Sequence, residues 1–410
     1  MFNPFVKEDR LFGLVATIVL LLSLAACGGG PAATSTPGNN PIAPPTSNVQ
    51  AIAVNSGPTG EYVNGVFTNV TVCMPGTTKC QTIGGVLVDT GSVGLRILAS
   101  ALTLALPQQT DSAANPIAEC SQLEDGFTWG PIKSADVKLA GELARSAPIQ
   151  VVGDPALSSV PASCTDTGLP SEDTLQNLGA NGILGVGPFL QDCGSVCTST
   201  GSDNPGLYYV CSSAGCNQVA IALAAQVQNP VSMFATDNNG TIIELPLVSS
   251  NGATAISGSL VFGIGTQSNN GLGKAAVFTL DSQGNFTTGF SNAGYTGFID
   301  SGSNALFFLD SSTTGIRICN DNSAFYCPDS TRNLTATNQG TNGTTLAVKF
   351  SVANADSLFN SNPNFFVFEN LTGPSPNSFD WGLPFFFGRN VFTAIEGQNT
   401  PGGAGPYVAY

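Results

Sequence analysis

The chain runs to 410 residues, long enough for two lobes with separate cores, and it is 42% hydrophobic but only 10% charged, with 48 Gly and 26 Pro. That balance favours short strands and turns over helices, and a formal net charge of −15 argues against a nucleic-acid partner. Histidine is absent, which removes Ser-His-Asp and Cys-His nucleophilic systems and most catalytic zinc sites.

Residues 1–26 read as a targeting segment. Lys7 and Arg10 precede an apolar run over residues 11–24, too short for a comfortable membrane span and ending in Leu24-Ala25-Ala26-Cys27. Those four residues resemble the bacterial lipobox, which implies cleavage before Cys27 and its lipidation with palmitate-class acyl chains. Gly28 stands where Asp would signal inner-membrane retention. The expectation is therefore an outer-membrane lipoprotein, on the periplasmic or surface side of the bacterial envelope. Residues 27–50, rich in Pro, Gly, Ser, Thr and Asn, read as a disordered tether.

Strand-like runs follow at 52–54, 63–72 and 86–88, the last leading into Asp89, with turn residues between them. Residues 219–227 (Val-Ala-Ile-Ala-Leu-Ala-Ala-Gln-Val) predict the one persuasive helix, stopped by Pro230 and followed by a strand over 231–234. A second β-rich block starts near Thr241, with an evident strand and turn at 259–263. The expected division is an N-terminal lobe over 51–239 and a C-terminal lobe over 240–410.

With Cys27 set aside, the remaining cysteines are even in number, as an oxidising compartment favours. Local pairing suggests Cys73 with Cys80, Cys120 with Cys164, and Cys319 with Cys327. Cys193, Cys197, Cys211 and Cys216 form a cluster that reads as two disulfides of open connectivity. A structural zinc is the other arrangement its spacing allows.

One short phrase occurs twice: Val88-Asp89-Thr90-Gly91-Ser92 and Ile299-Asp300-Ser301-Gly302-Ser303. Each is an Asp behind an apolar run, then a small hydroxyl residue, Gly and Ser. Roughly ninety residues after each Asp comes a run of bulky apolar residues and Gly, at Ile183-Leu184-Gly185 and Phe386-Phe387-Gly388. Isolated Asp-Gly pairs are ordinarily turns. A pair repeated behind apolar strands points instead to two related lobes that bring two carboxylates together. Two carboxylates sharing a proton can activate water without metal, histidine or cofactor.

In this order the elements resemble those of the pepsin-like aspartic peptidases, over most of residues 51–410, in a bacterial lipoprotein branch of that clan. The resemblance implies an all-β, bilobal fold of two barrel-like lobes with a cleft between them. Asp89 and Asp300 would be catalytic, without cofactor or metal. Thr90 and Ser301 would bond across the lobe interface, Ser92 and Ser303 would donate to the carboxylates, and Gly91 and Gly302 would admit backbone amides. The implied partner of this monomer is a peptide or protein substrate, with the membrane touched only through the lipid. The family's flap tyrosine has no obvious counterpart. Phe127-Thr128-Trp129-Gly130 is the best stretch for it, placing Trp129 there, while Arg96 stands where the family carries a supporting Trp. A cation–π pair between Trp129 and Arg96 would replace both. A pepsin-like fold that has lost activity, binding peptide, glycan or a protein partner in the cleft, is the alternative, and a mainly structural envelope protein is a third.

Overall fold

The computed structural model describes residues 34–35, 43, 46–320 and 322–410. Cys27 and residues 1–26 lie outside them. Among the described residues, no helix is long and apolar enough to cross a membrane.

Among the described residues strands dominate the regular structure, arranged as a fifteen-stranded and an eight-stranded sheet, with a further small two-stranded one. The first lobe follows from period-two patterning. Strand Gly65–Cys73 pairs antiparallel with Cys80–Asp89, and Phe127–Leu139 pairs with Glu142–Val152. The last residues of Cys80–Asp89, Val86 to Asp89, are all buried. That continuous apolar run marks a strand covered on both faces. It is flanked by Gly182–Val186, parallel to Val86–Asp89 on one side and antiparallel to Val93–Leu98 on the other. The loop over residues 90–92 therefore turns around the end of a buried strand. Gly185 is required there, because a Cβ would fall 2.6 Å from the backbone nitrogen of Val93.

The second lobe repeats the device. Ala293–Ile299 runs parallel to Ser375–Trp381, which is antiparallel to Leu306–Leu309. Beneath both lobes lies a bridge of strands in which Val49–Asn55 pairs with Ile256–Phe262, then Gly240–Glu244, then Asn390–Ala394. One apolar core runs through all of this, from Val88 and Leu184 to an aromatic group of Phe308, Phe379 and Trp381.

Two local expectations are corrected. Residues 219–227 form no α-helix, only the 3-10 turn Leu223–Ala225. The segment is tied to partners outside it: Val219 N–H donates to Tyr208 O and Ile221 N–H to Cys197 O. Val227 N–H, which a helix would give to Leu223 O, donates to the Tyr208 hydroxyl. A nine-residue apolar segment is too short to hold a helix against such partners. Likewise 231–234 is no strand, because the Asn229 side chain accepts from Val231 N–H and starts the 3-10 turn Val231–Met233.

Five disulfides close the structure: Cys73–Cys80, Cys120–Cys164, Cys193–Cys197, Cys211–Cys216 and Cys319–Cys327. The open cluster resolves into two short loops, so its sulfurs are not available to zinc.

Candidate active site

The two Asp-containing loops meet across the lobe interface through hydroxyls that both give and accept. Thr90 Oγ1 donates to Ile299 O at 3.3 Å and accepts from Ser301 N–H at 2.9 Å. Ser301 Oγ donates to Val88 O at 2.8 Å and accepts from Thr90 N–H at 3.1 Å. Thr90 and Ser301 are buried and fully satisfied, so the crossing fixes one loop against the other.

This crossing lays each carboxylate on the other loop's glycine. A Cβ on Gly91 would fall 2.6 Å from Asp300 Cγ, and one on Gly302 would fall 2.7 Å from Asp89 Oδ1. No residue larger than glycine fits either place. Gly91 N–H donates to Asp89 Oδ1 at 2.7 Å and Gly302 N–H to Asp300 Oδ1 at 2.8 Å. Ser303 Oγ donates to Asp300 Oδ2 at 3.1 Å. Buried Ser92 lies against Asp89, with poorer hydrogen-bond geometry than its counterpart in the second loop.

The electrostatics split the pair. Burial, then the charge of Asp89, pushes the Asp300 carboxyl up to about 7. Burial acts on Asp89 too, but hydrogen bonds from Asp300, Ser92 and the Gly91 amide hold it below the usual carboxylate value. Between those limits the pair carries one proton, on the Asp300 side. One ionised and one protonated carboxyl in contact supply a base and an acid at a single point.

Residues the sequence did not single out complete the surroundings. Tyr62 precedes strand Gly65–Cys73; burial first, then the charges of Asp125, Asp89, Asp300 and Glu172, raise its phenol above the ordinary value. It therefore stays protonated, near enough to the dyad to be influenced by both carboxyls. The hairpin of Ile117–Gln122 and Phe127–Leu139 turns at residues 123–126, and its tip carries Glu124 and Asp125. Glu172 lies beside that tip, pushed up to about 7 by burial and by Asp125 and Asp173.

Trp129 sits further along that hairpin, on strand Phe127–Leu139. Its ring packs edge-on against Tyr209 at 5.2 Å, and its Nε1–H donates to Leu157 O at 2.8 Å. Gly130 is held by close strand approach, since a Cβ would fall 1.9 Å from Val151 O. Arg96 is fully buried, with Nη2 at 2.6 Å from Glu119 and 3.0 Å from Asp192, and Nη1 donating to Val93 O. The expected Trp129–Arg96 pair is replaced by these two separate sets of partners. Their strands are separated by Glu142–Val152, and through Gln150 Arg96 aligns with Ile132, three residues from Trp129, so strand alternation sends the two side chains to opposite faces.

The second-lobe apolar-apolar-Gly also needs correction. Ile299 pairs with Trp381 as Val88 pairs with Leu184, and Asp300 N–H donates to Trp381 O at 3.2 Å. The counterpart of Leu184-Gly185 is thus Trp381-Gly382, where a Cβ would fall 2.0 Å from Ala305 O. Phe385 and Phe386 lie in the following 3-10 turn Leu383–Phe386, with the Arg389 guanidinium 4.5 Å above the Phe385 ring. Asp380 interrupts the apolar pattern before Gly382, so the run at 386–388 reads better in the sequence, and only strand register identifies Trp381-Gly382. As for metal ligands, Cys319, Cys327 and Asp356 cluster, but both thiols are spent in a disulfide.

The crystal structure of an aspartic proteinase from Irpex lacteus matches this chain with a TM-score of 0.50 at 14% sequence identity, covering 88% of this chain and 96% of that one. The fold is therefore the bilobal, all-β, pepsin-like one. No curated protein matches the sequence. A family model described as "Protein of unknown function (DUF3443)" matches residues 44–410, which is nearly all of the described chain, and the protein belongs to that family.

Proposed function

We propose that this chain is an aspartic-type endopeptidase, anchored in the bacterial envelope through a lipid on Cys27. The observation that carries the reading is the contact of Asp89 and Asp300 through each other's glycines, with one carboxyl lowered and the other raised. Asp89 takes a proton from a water held between the two carboxyls, and that water attacks a peptide carbonyl. Asp300 gives its proton to the developing oxyanion, forming a gem-diol; as the C–N bond breaks, Asp89 passes its proton to the leaving amine and a diol hydroxyl returns one to Asp300. Tyr62 adds a neutral donor at the cleft. A pocket of about 320 Å³ beside it, walled by Val63, Phe325 and Phe359 and bordered by Asn304, accepts an apolar substrate side chain. The protein works as a monomer, on peptides in the periplasm or at the surface, without a cofactor.

The test is hydrolysis of a peptide library by wild type and Asp89→Asn. Wild type is expected to cleave from acid pH upward, with activity falling as pH passes about 7, where Asp300 loses its proton. Asp89→Asn should lose at least a hundredfold in kcat, in line with removal of a general base. Equal hydrolysis by both proteins, or none by wild type between pH 3 and 8, overturns the reading. Anchoring is checked separately: Cys27→Ser should abolish labelling by a palmitate analogue and release the protein from membranes.

A further inference from the structure

Strand Ser375–Trp381 brings another carboxyl to the floor of the dyad. In parallel register Asp380 pairs with Phe298 as Ile183 pairs with Leu87 in the first lobe. An acid thus fills a place where the related lobe uses isoleucine. Asp380 is 1% exposed, and both its oxygens are buried without a hydrogen bond of good geometry. Asp300 from the neighbouring strand end and Glu124 from the hairpin tip both repel a charge there, while the Ser303 hydroxyl eases it. Burial comes first among these influences, and together they push Asp380 well above the ordinary carboxylate range.

Ser303 has a single hydrogen, already donated to Asp300 Oδ2 at 3.1 Å. It cannot serve two carboxylates at once, but its oxygen can accept. One arrangement satisfies every group: Asp380 carries a proton and offers it to Ser303, and Ser303 offers its own to Asp300. We propose that Asp380 is a positioning residue of the dyad, holding its own proton so that Ser303 stays committed to Asp300. Its positioning role rests on the peptidase reading; its protonation does not.

The first test needs no activity. A carboxyl that keeps its proton when folded and loses it when unfolded destabilises the protein progressively above the unfolded value near pH 4. The melting temperature of Asp380→Asn should therefore rise relative to wild type between pH 4 and 7. A gap that stays flat with pH overturns the proposal. Should the variant not fold, the infrared carbonyl difference between wild type and Asp380→Leu gives the same answer, free of the other buried carboxyls. A protonated-carboxyl band must appear in that difference at a pH where exposed carboxyls are ionised, and its absence overturns the proposal.

The second test is a double-mutant cycle. Asp380→Leu and Ser303→Ala should each lower kcat about tenfold with KM little changed, and the double variant should be no worse than either. Asp380→Asn, which keeps a neutral donor, should stay within about threefold of wild type. Multiplicative effects, or an Asn variant as slow as the Leu variant, overturn the positioning role. If wild type hydrolyses nothing, the peptidase reading falls, and the coupling is read in the titration of the Asp300 band instead. Asp380→Leu and Ser303→Ala must then shift it alike; unequal shifts overturn the proposal.

Discussion

Thr90 and Ser301 show how much a single hydroxyl can hold. Each satisfies a backbone donor and a backbone acceptor of the opposite lobe, all buried. Ser301→Ala leaves Val88 O and Thr90 N–H without these partners, and should cost about 2–3 kcal/mol in urea unfolding, against a few tenths for an exposed serine. kcat should fall as well, since the two carboxyls are no longer held in one register. An alanine variant as stable as wild type would show that the crossing is not what locks the loops. These residues were legible in the sequence because each loop's chemistry is contiguous: Asp, hydroxyl, Gly, Ser. Tyr62 and Asp380 were not. Tyr62 precedes its strand without a motif, and Asp380 sits in a run, Phe379-Asp380-Trp381, where only the strand register with Phe298 reveals what it faces.

Among the elements, the strands were legible and their partners were not. Alternating and continuous apolar runs marked Gly65–Cys73 and Ile256–Phe262 to within three residues, but only the buried end of Cys80–Asp89. The false helix at 219–227 had good local propensity, but its amides were claimed by Tyr208 and Cys197, which lie at sequence distances no local pattern records. The hairpin whose tip carries Glu124 and Asp125 is the element most open to test. The Cys120–Cys164 disulfide ties its first strand to the helical turn Ala162–Thr165 across a separation of 44 residues, whereas Cys193–Cys197 spans 4. Chain entropy then assigns about 4 kcal/mol to the first bridge and about 2 to the second. Replacing Cys120 and Cys164 by Ser should lower stability by about twice as much as replacing Cys193 and Cys197, measured by urea denaturation of both double variants. The first pair of substitutions should also raise amide exchange at residues 117–130, where the second leaves it unchanged. Equal losses would mean that the hairpin is held by its sheet neighbours alone.

At the scale of the whole molecule, the dyad requires that the two lobes keep one relation, and several links independent of the Asp loops enforce it. Strand Val49–Asn55 precedes the first-lobe strands in sequence yet pairs along its length with Ile256–Phe262. The Glu396 side chain accepts from Leu190 N–H at 2.9 Å. The strongest link is Asn64, fully buried and held at a φ of 50°. Its amide donates to Asn304 O and Phe368 O, both at 2.9 Å, and its Oδ1 accepts from Phe368 N–H at 2.8 Å. Asn tolerates that left-handed conformation better than most residues, and the bonds reach a backbone that other side chains cannot satisfy as well. Calorimetry of the wild type should therefore show a single transition, with calorimetric and van't Hoff enthalpies equal. Asn64→Ala loses buried bonds and adds strain at positive φ, and should cost about 3 kcal/mol. Because Asn304 directly follows the second loop, the same variant should slow hydrolysis although Asn64 belongs to neither Asp loop. Two separate transitions in the wild type, or an Asn64→Ala protein as stable and active as the parent, would mean that the lobes are coupled through the dyad loops alone.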